Sequence, residues 1–270
     1  MIESVRNTRV REVRKLAQKT ERNEQGLFVL EGPQAVREAL QDRPDLITDL
    51  FATPTAMEKH RDLADLADAA GLEIVWATEE VVDAMSDTRT PQGVVAVARQ
   101  FPTALKNMFD DELRLVVILE EVRDPGNLGT IIRVADAAGA DAIILTGRTV
   151  DLYNPKVVRS TTGSLFHIPV AVDADFTDAS LRVKQAGMRL VAADIAGEDL
   201  LTAREAGKLA QPTAWVFGNE ARGLSDEILT QCDASIAVPN YGRAESMNLA
   251  TAASVCLYES AFAQRLAAAN

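Results

Sequence analysis

The sequence predicts an α/β protein of two domains, the second organised on a mostly parallel sheet. Three observations carry that expectation. The chain has 270 residues, more than one small core needs and suited to two domains. Short apolar, β-branched runs alternate with helical stretches, the pattern of strands joined by helices. A polar stretch of mixed charge containing Pro102, residues 99–112, separates two parts of the chain. The expected domains are therefore residues 1–105 and 112–270.

In the first domain, residues 8–19 read as a charged helix. Residues 27–30 read as a short strand, followed by Gly32-Pro33 and a helix to about Leu40. A strand over 46–52 precedes a helix over 56–70, which Gly71 stops. A strand over 72–76 leads to a helix over 79–85 with Thr78 as its N-cap. A strand over 94–98 closes the set. Trp76 and, later, Trp215 fall within strand-like runs and are expected in the core.

The second domain opens with residues 113–119, almost all apolar. Such a run fits a strand covered on both faces, as in a parallel sheet. Further strands are expected at 142–145, 168–172, 189–193, 214–217 and 235–238. Helices are expected at 127–138, 178–185, 226–231 and 247–268. The last carries an apolar face with Leu249, Val255, Cys256 and Leu257.

Composition narrows the class. At 47% hydrophobic and 25% charged residues, the chain reads as globular rather than disordered or fibrous. No apolar run reaches the ~18–20 residues of a membrane span, and the charged N-terminus lacks a signal-peptide core. Cys232 and Cys256 are far apart and show no CxxC spacing. That fits a reducing, cytoplasmic setting without a zinc site or disulfide framework.

The net charge is −12, but residues 1–25 hold seven cations against four carboxylates, a local +3 that leaves −15 elsewhere. Arg6, Arg9, Arg11, Arg14 and Lys15 could form a basic arm for nucleic-acid phosphates. The same charges also fit a solvated helix face.

Three glycine-containing loops follow apolar strands: 120–129, 218–225 and 239–248. In an open α/β sheet, ligands bind beyond the carboxyl ends of the strands, so the three loops are candidates for one shared site. Singly, each also reads as a turn with a helix cap, because Asn127, Ser225 and Ser246 all suit N-caps. Neither GxGxxG nor GxxxxGK[ST] follows a strand. His60 and His167 are the two histidines, and His167, beside an apolar run, reads as packed or satisfied. GxSxG and metal-ligand spacing are absent from the sequence. Methyl transfer from a sulfonium suits such a chain, since the cofactor carries the reactive group and the protein binds and orients it.

The stretch Asp124-Pro125-Gly126-Asn127-Leu128-Gly129-Thr130-Ile131-Ile132-Arg133-Val134-Ala135-Asp136-Ala137-Ala138-Gly139-Ala140 resembles the first motif of SpoU (TrmH) methyltransferases. Phe217-Gly218-Asn219-Glu220-Ala221-Arg222-Gly223-Leu224-Ser225 resembles the second. Val238-Pro239 with Glu245-Ser246-Met247-Asn248-Leu249-Ala250 resembles the third. All three stand in order over residues 113–270. Phe28-Val29-Leu30-Glu31-Gly32 and Val36-Arg37-Glu38-Ala39-Leu40 resemble the family's substrate-binding domain, which is similar to a ribosomal-protein fold. Val134 and Met247 depart mildly from the motifs, where threonine and leucine are frequent.

The resemblance implies a SPOUT domain with a deep trefoil knot, a homodimer, and transfer of methyl from S-adenosylmethionine to a ribose 2′-hydroxyl of RNA. Ribosomal RNA is favoured. Transfer RNA, a non-catalytic RNA-binding ribosome-assembly factor and a cofactor-sensing regulator are the alternatives. The resemblance nominates Arg133, Asn127, Glu220, Ser246 and Asn248 for catalysis, and Gly218, Asn219, Val238 and Met247 for the cofactor. Arg133 would act as a base or as an electrostatic stabiliser of the reacting oxygen. Arg159 joins Arg6, Arg9, Arg11 and Arg14 as an RNA-contacting candidate, with Ser160, Thr162, Arg222 and Arg243 as weaker ones. No metal and no membrane are implied.

Overall fold

A computed structural model describes residues 1–109 and 112–269; Asp110 and Asp111 of the expected linker, and Asn270, lie outside them. The chain divides into two compact units. One comprises Met1–Phe101 with Asp151–His167, the other Pro102–Val150 with Ile168–Asn270. Division at 105 and 112 differs from this in two places: residues 102–105 belong to the second unit, and residues 151–167 pack in the first.

The first unit begins with α1 (Thr8–Lys15), capped by Asn7, whose Oδ1 accepts from the Arg9 amide at 2.9 Å. Its Val10 and Val13, with Leu16, enter a core shared with Val29, Phe51, Val81 and Val95. The single helix expected over 8–19 ends here, and α2 (Lys19–Gln25) starts a separate one. Buried Arg22 explains the break: its Nη1 donates to the carbonyls of Leu16 and Ala17, both at 2.8 Å, which satisfies groups the first helix leaves open.

There follow β1 (Leu27–Glu31), α3 (Pro33–Asp42), β2 (Ile47–Ala52), α4 (Pro54–Lys59), α5 (Arg61–Ala69), β3 (Ile74–Trp76), α6 (Glu79–Met85) and β4 (Val94–Arg99). The helix expected over 56–70 is two helices meeting at non-helical His60 (φ −123°, ψ 59°). Thr53 caps the first of them, and Pro54 suits its first position. Thr78 takes the N-cap position of α6, but its buried hydroxyl makes no cap bond. The sheet order is β1-β4-β2-β3, with β4 antiparallel to β1 and β2, and β2 parallel to β3. Trp76 is not core: it ends a three-residue edge strand and is 41% exposed.

The chain continues through β5 (Leu115–Glu120), α7 (Pro125–Ala138) and β6 (Ala142–Thr146). Residues 151–167, with α8 (Pro155–Thr161), then belong to the first unit. Arg22 pairs with Asp151 there, Nε to Oδ2 3.1 Å. The Phe101 amide donates to the Tyr153 hydroxyl at 2.8 Å, and the Tyr153 ring lies 4.7 Å from Phe28. His167 Nε2 lies beside the carboxylates of Glu38 and Asp42 of α3.

The second unit resumes with β7 (Val170–Ala174), α9 (Phe176–Gln185), β8 (Arg189–Asp199), α10 (Leu200–Glu205), β9 (Thr213–Phe217), α11 (Asp226–Gln231), β10 (Ala234–Ala237) and α12 (Leu249–Ala268). Helices α8 and α10, of seven and six residues, are absent from the sequence reading. The six strands run in the order β10-β8-β9-β5-β6-β7, and every pairing is parallel. Strands β6 and β9 are buried throughout, and β5 is buried up to Glu120. Trp215 of β9 is fully buried as expected, and its Nε1 donates to Ser260 of α12 at 2.9 Å. Cys256 and Leu257 also go to the core from that helix, whereas Leu249 and Val255 are half-buried.

Candidate cofactor and catalytic site

The carboxyl ends of β5, β9 and β10 feed the three loops singled out in the sequence. After β5 the chain turns at Glu121, which has φ 52°, a left-handed value uncommon for a side-chain-bearing residue. Asp124, rather than Asn127, caps α7: its Oδ1 accepts from the Asn127 amide at 2.7 Å. Pro125 at the first helical position starts the helix two residues early. Asn127 therefore stands inside the first turn, with its side chain available for longer-range bonds.

After β9, Gly218 is required by the chain itself. A Cβ there would lie 2.5 Å from the Gly223 carbonyl carbon and 2.8 Å from the Leu224 nitrogen. That close approach folds 218–223 into a tight loop closed by paired bonds between Asn219 and Gly223, at 3.1 and 2.8 Å. The Asn219 Nδ2 donates to the Glu121 carbonyl at 2.9 Å, tying this loop to the first. Arg222 pairs with the Glu121 carboxylate.

Glu220 makes the second tie. Its carboxylate accepts from the amides of Asp124 (2.9 Å) and Arg123 (3.1 Å) and from Asn127 Nδ2 at 3.3 Å. Partial burial works against its charge, but these donors outweigh it and hold the carboxyl below the usual range. Glu220 is thus ionised at neutral pH and poorly suited to accept a proton. Asn248, rather than Ser246, caps α12, its Oδ1 accepting from Thr251 at 3.2 Å. Its Nδ2 reaches Asn127 Oδ1 at 3.0 Å. Asn248, Asn127 and Glu220 thereby form one hydrogen-bonded chain across all three loops. Ser225 does cap α11 as expected.

Beside this chain lies a cavity of about 390 Å³, within the range of small-molecule sites. Phe217, Gly218, Ile236, Val238, Met247 and Leu249 give it an apolar wall, while Asn219, Glu220, Asn240 and Ser246 add polar groups. All four residues expected at the cofactor line it. Such a lining suits a small molecule with both an apolar and a polar part.

Asp194 and Ile195 complete the lining and were missed in the sequence, where the strand was expected to stop at 193. The pairing of β8 with β10 jumps from Ala192 opposite Ser235 to Glu198 opposite Ile236. The residues between are pushed out of register towards the cavity, and Ile195 is 83% exposed. An apolar isoleucine in the polar stretch 194–199 was the available signal.

Arg133 stands apart. It is exposed on α7, outside the cavity lining, and makes no hydrogen bond or ion pair among the described residues. Burial pushes the Cys232 thiol up to about 11 and the Cys256 thiol up to about 12, so neither supplies a thiolate at neutral pH.

In the first unit, the side chains of Arg6, Arg11 and Arg14 are exposed and without ion-pair partners among the described residues. Arg9 is engaged, pairing with Asp49 at 2.6 Å and lying over the Phe51 ring. Arg159 is engaged too, with Glu31 at 3.2 Å and Asp87 at 3.0 Å.

Comparison with known proteins agrees with this arrangement. Residues 114–258 match the family model described as the SpoU rRNA methylase family, and residues 7–96 match an MRM3-like substrate-binding domain. The chain is 34% identical to the 23S rRNA (guanosine(2553)-2′-O)-methyltransferase RlmP of Bacillus subtilis (strain 168), covering 95% of this chain and 97% of that protein. It is 33% identical to a 23S rRNA (uridine(2479)-2′-O)-methyltransferase of Streptomyces viridochromogenes, covering 90% and 85%. Among solved structures, an AdoMet-bound rRNA methyltransferase from Sinorhizobium meliloti superposes with a TM-score of 0.81 at 34% identity, covering 96% of each chain.

Proposed function

The chain belongs to the SpoU rRNA methylase family, and on that premise we propose that it transfers the methyl group of S-adenosylmethionine to a ribose 2′-hydroxyl of ribosomal RNA. One observation carries the reading to this chain's own residues. Asn248 and Asn127, 121 positions apart, join Glu220 in one hydrogen-bonded chain at the wall of a cavity sized for that cofactor.

S-adenosylmethionine supplies an electrophilic methyl group when bound. The protein's part is to orient and to manage charge. Val238 and Met247 pack against the adenine, and backbone groups near Gly218 and Asn219 hold the remainder. Glu220, ionised and fully engaged, braces the first loop instead of taking the ribose proton. Arg133 offers a planar guanidinium, which only donates hydrogen bonds. It therefore stabilises the developing alkoxide and an RNA phosphate by paired N–H donors, while the hydroxyl proton passes to solvent.

The active form in this reading is a homodimer whose second copy brings Arg133 to the neighbouring cavity. Two features support it: Arg133 lies outside its own cavity lining, and Tyr258 and Phe262 of α12 expose apolar rings 37% and 51%. A deep trefoil knot formed by the three loops belongs to the same reading, as does a cytoplasmic location where ribosomal RNA is modified. The first unit selects RNA, and the second binds the cofactor.

The test combines in vitro methylation of ribosomal and transfer RNA with ribose-methylation mapping of cells that have or lack the protein. One new 2′-O-methyl position in ribosomal RNA is expected. Labelling of transfer RNA alone would change the substrate. No methyl incorporation with retained RNA binding would identify a non-catalytic assembly factor.

A further inference from the structure

In the first unit, α3 presents Glu38 and Asp42 four residues apart, on one side of the helix. His167 follows the short turn Ser164–Phe166 and brings its Nε2 to 3.2 Å from Glu38 Oε2 and 3.0 Å from Asp42 Oδ2. The three donor atoms lie within 4.8 Å of one another. An imidazole nitrogen carries at most one proton, so it cannot give a full hydrogen bond to two carboxylates at once. A cation among the three atoms would satisfy all of them.

The spacing suits a metal ion. Ligands at the ~2.0–2.1 Å bond lengths of tetrahedral zinc stand about 3.3 Å apart, close to both separations from Nε2. Glu38 is also held in place. Gln34 Nε2 donates to its other oxygen, Oε1, at 2.6 Å, the kind of outer bond that orients a ligand carboxylate. Glu38 further packs against Gly163, where a Cβ would lie 2.1 Å from Glu38 Cγ, so only glycine leaves room for it. Asp42 is the most exposed of the three at 45%, which leaves water able to complete the coordination.

We propose that Glu38, Asp42 and His167 form a binding site for a divalent transition-metal cation of the zinc class. It would fasten the segment ending at His167 to α3. The site is built from residues of the first unit and takes no part in methyl transfer.

The experiment uses the full chain, stripped with a chelator, dialysed and titrated with zinc chloride in a calorimeter at neutral pH. One zinc per chain is expected, together with a rise in Tm. His167→Ala and Glu38→Gln should each weaken binding tenfold or more and remove the rise in Tm, whereas Cys232→Ser should change neither. Cobalt(II) should show visible d–d bands in the wild-type chain that Asp42→Asn weakens and His167→Ala removes. Acidification should weaken zinc binding, because proton and metal compete for the same nitrogen. Circular dichroism checks that each variant folds. If His167→Ala does not, Glu38→Gln and Asp42→Asn decide the matter. No saturable zinc uptake, uptake unchanged in the ligand variants, or equal affinity for magnesium would overturn the site.

Discussion

Glu220 shows how a carboxylate singled out in the sequence still needs the fold to define its surroundings. In the sequence it is an acid in a glycine loop; in the structure two amides and Asn127 hold its charge and tie two loops together. Its carboxyl is held below the usual value. The bracing it provides is therefore complete above the ordinary carboxylate range, ~4.3, and is lost as pH falls through the lower folded value. Cofactor affinity measured calorimetrically should stay level from neutral pH to about 5, with a decline only at more acid pH. Glu220→Gln should bind more weakly at neutral pH and lose that acid decline. Arg133 makes the opposite case, a residue whose exposed side chain has no hydrogen-bond or ion-pair partner among the described residues. Arg133→Ala should keep cofactor affinity while the single-turnover rate drops about 10²–10³-fold, the usual loss for a group acting in the transition state. Arg133→Lys should recover little, because the paired N–H fork is gone. Cofactor affinity falling in step with the rate would reassign Arg133 to the cofactor cavity.

At the scale of elements, helix breaks and short helices separate expectation from outcome. A charge pattern over 8–19 cannot reveal that Arg22 will fold back to take the carbonyls of Leu16 and Ala17, with Asp151, 129 positions away, completing the arrangement. Removing one partner of a buried ion pair costs about 3–5 kcal/mol, so Arg22→Ala should lower the urea midpoint of the full chain markedly. An unchanged midpoint would show that the pair is not needed for stability. The same packing decides how the basic arm should be tested. Val10, Val13 and Leu16 are core residues, so deleting residues 1–20 would confound binding with unfolding. Replacing exposed Arg6, Arg11 and Arg14 together by alanine keeps the core. RNA affinity should then fall with a shallower salt dependence, by about 0.7–0.9 in log–log slope for each phosphate no longer neutralised, while cofactor affinity stays constant. Equal slopes for variant and wild type would leave the charges as a solvated face.

For the whole molecule, the proposed dimer makes a demand that one chain cannot meet alone. If Arg133 serves the neighbouring cavity, a mixed dimer of Arg133→Ala with Gly218→Val contains one intact site, although each variant alone is inactive. The Gly218→Val chain has its cavity loop disrupted, because the side chain would meet the Gly223 backbone. Mixing the two purified variants should restore about a quarter of wild-type activity if subunits exchange statistically, each mixed dimer carrying one good site. No recovery after confirmed exchange would place Arg133 in its own chain's site. The charge distribution also belongs to this scale: in the proposed reading, the −15 outside the first 25 residues would repel RNA that does not engage the arm.

The sequence by itself determined the α/β class, the parallel sheet of the second unit and the three loops that hydrogen-bond to one another beside the cavity. Apolar runs such as 113–119 and 214–217 can be buried on both faces only as inner strands, and the polar loops that follow them must lie at the carboxyl edge. It also singled out Asn127, Glu220 and Asn248, which hydrogen-bond to one another in the structure, through motifs whose residues are local and ordered. Only the tertiary structure decided which of these groups touch and where the remaining charges go. Asp124 and Asn248 cap the helices, Ile195 enters the cavity through a register jump, Arg159 is taken by Glu31 and Asp87, and residues 151–167 join the first unit. Periodicity and motif spacing report neighbours a few residues apart. Hydrogen bonds and ion pairs between residues a hundred positions apart depend on how the chain returns, and no local pattern encodes that path.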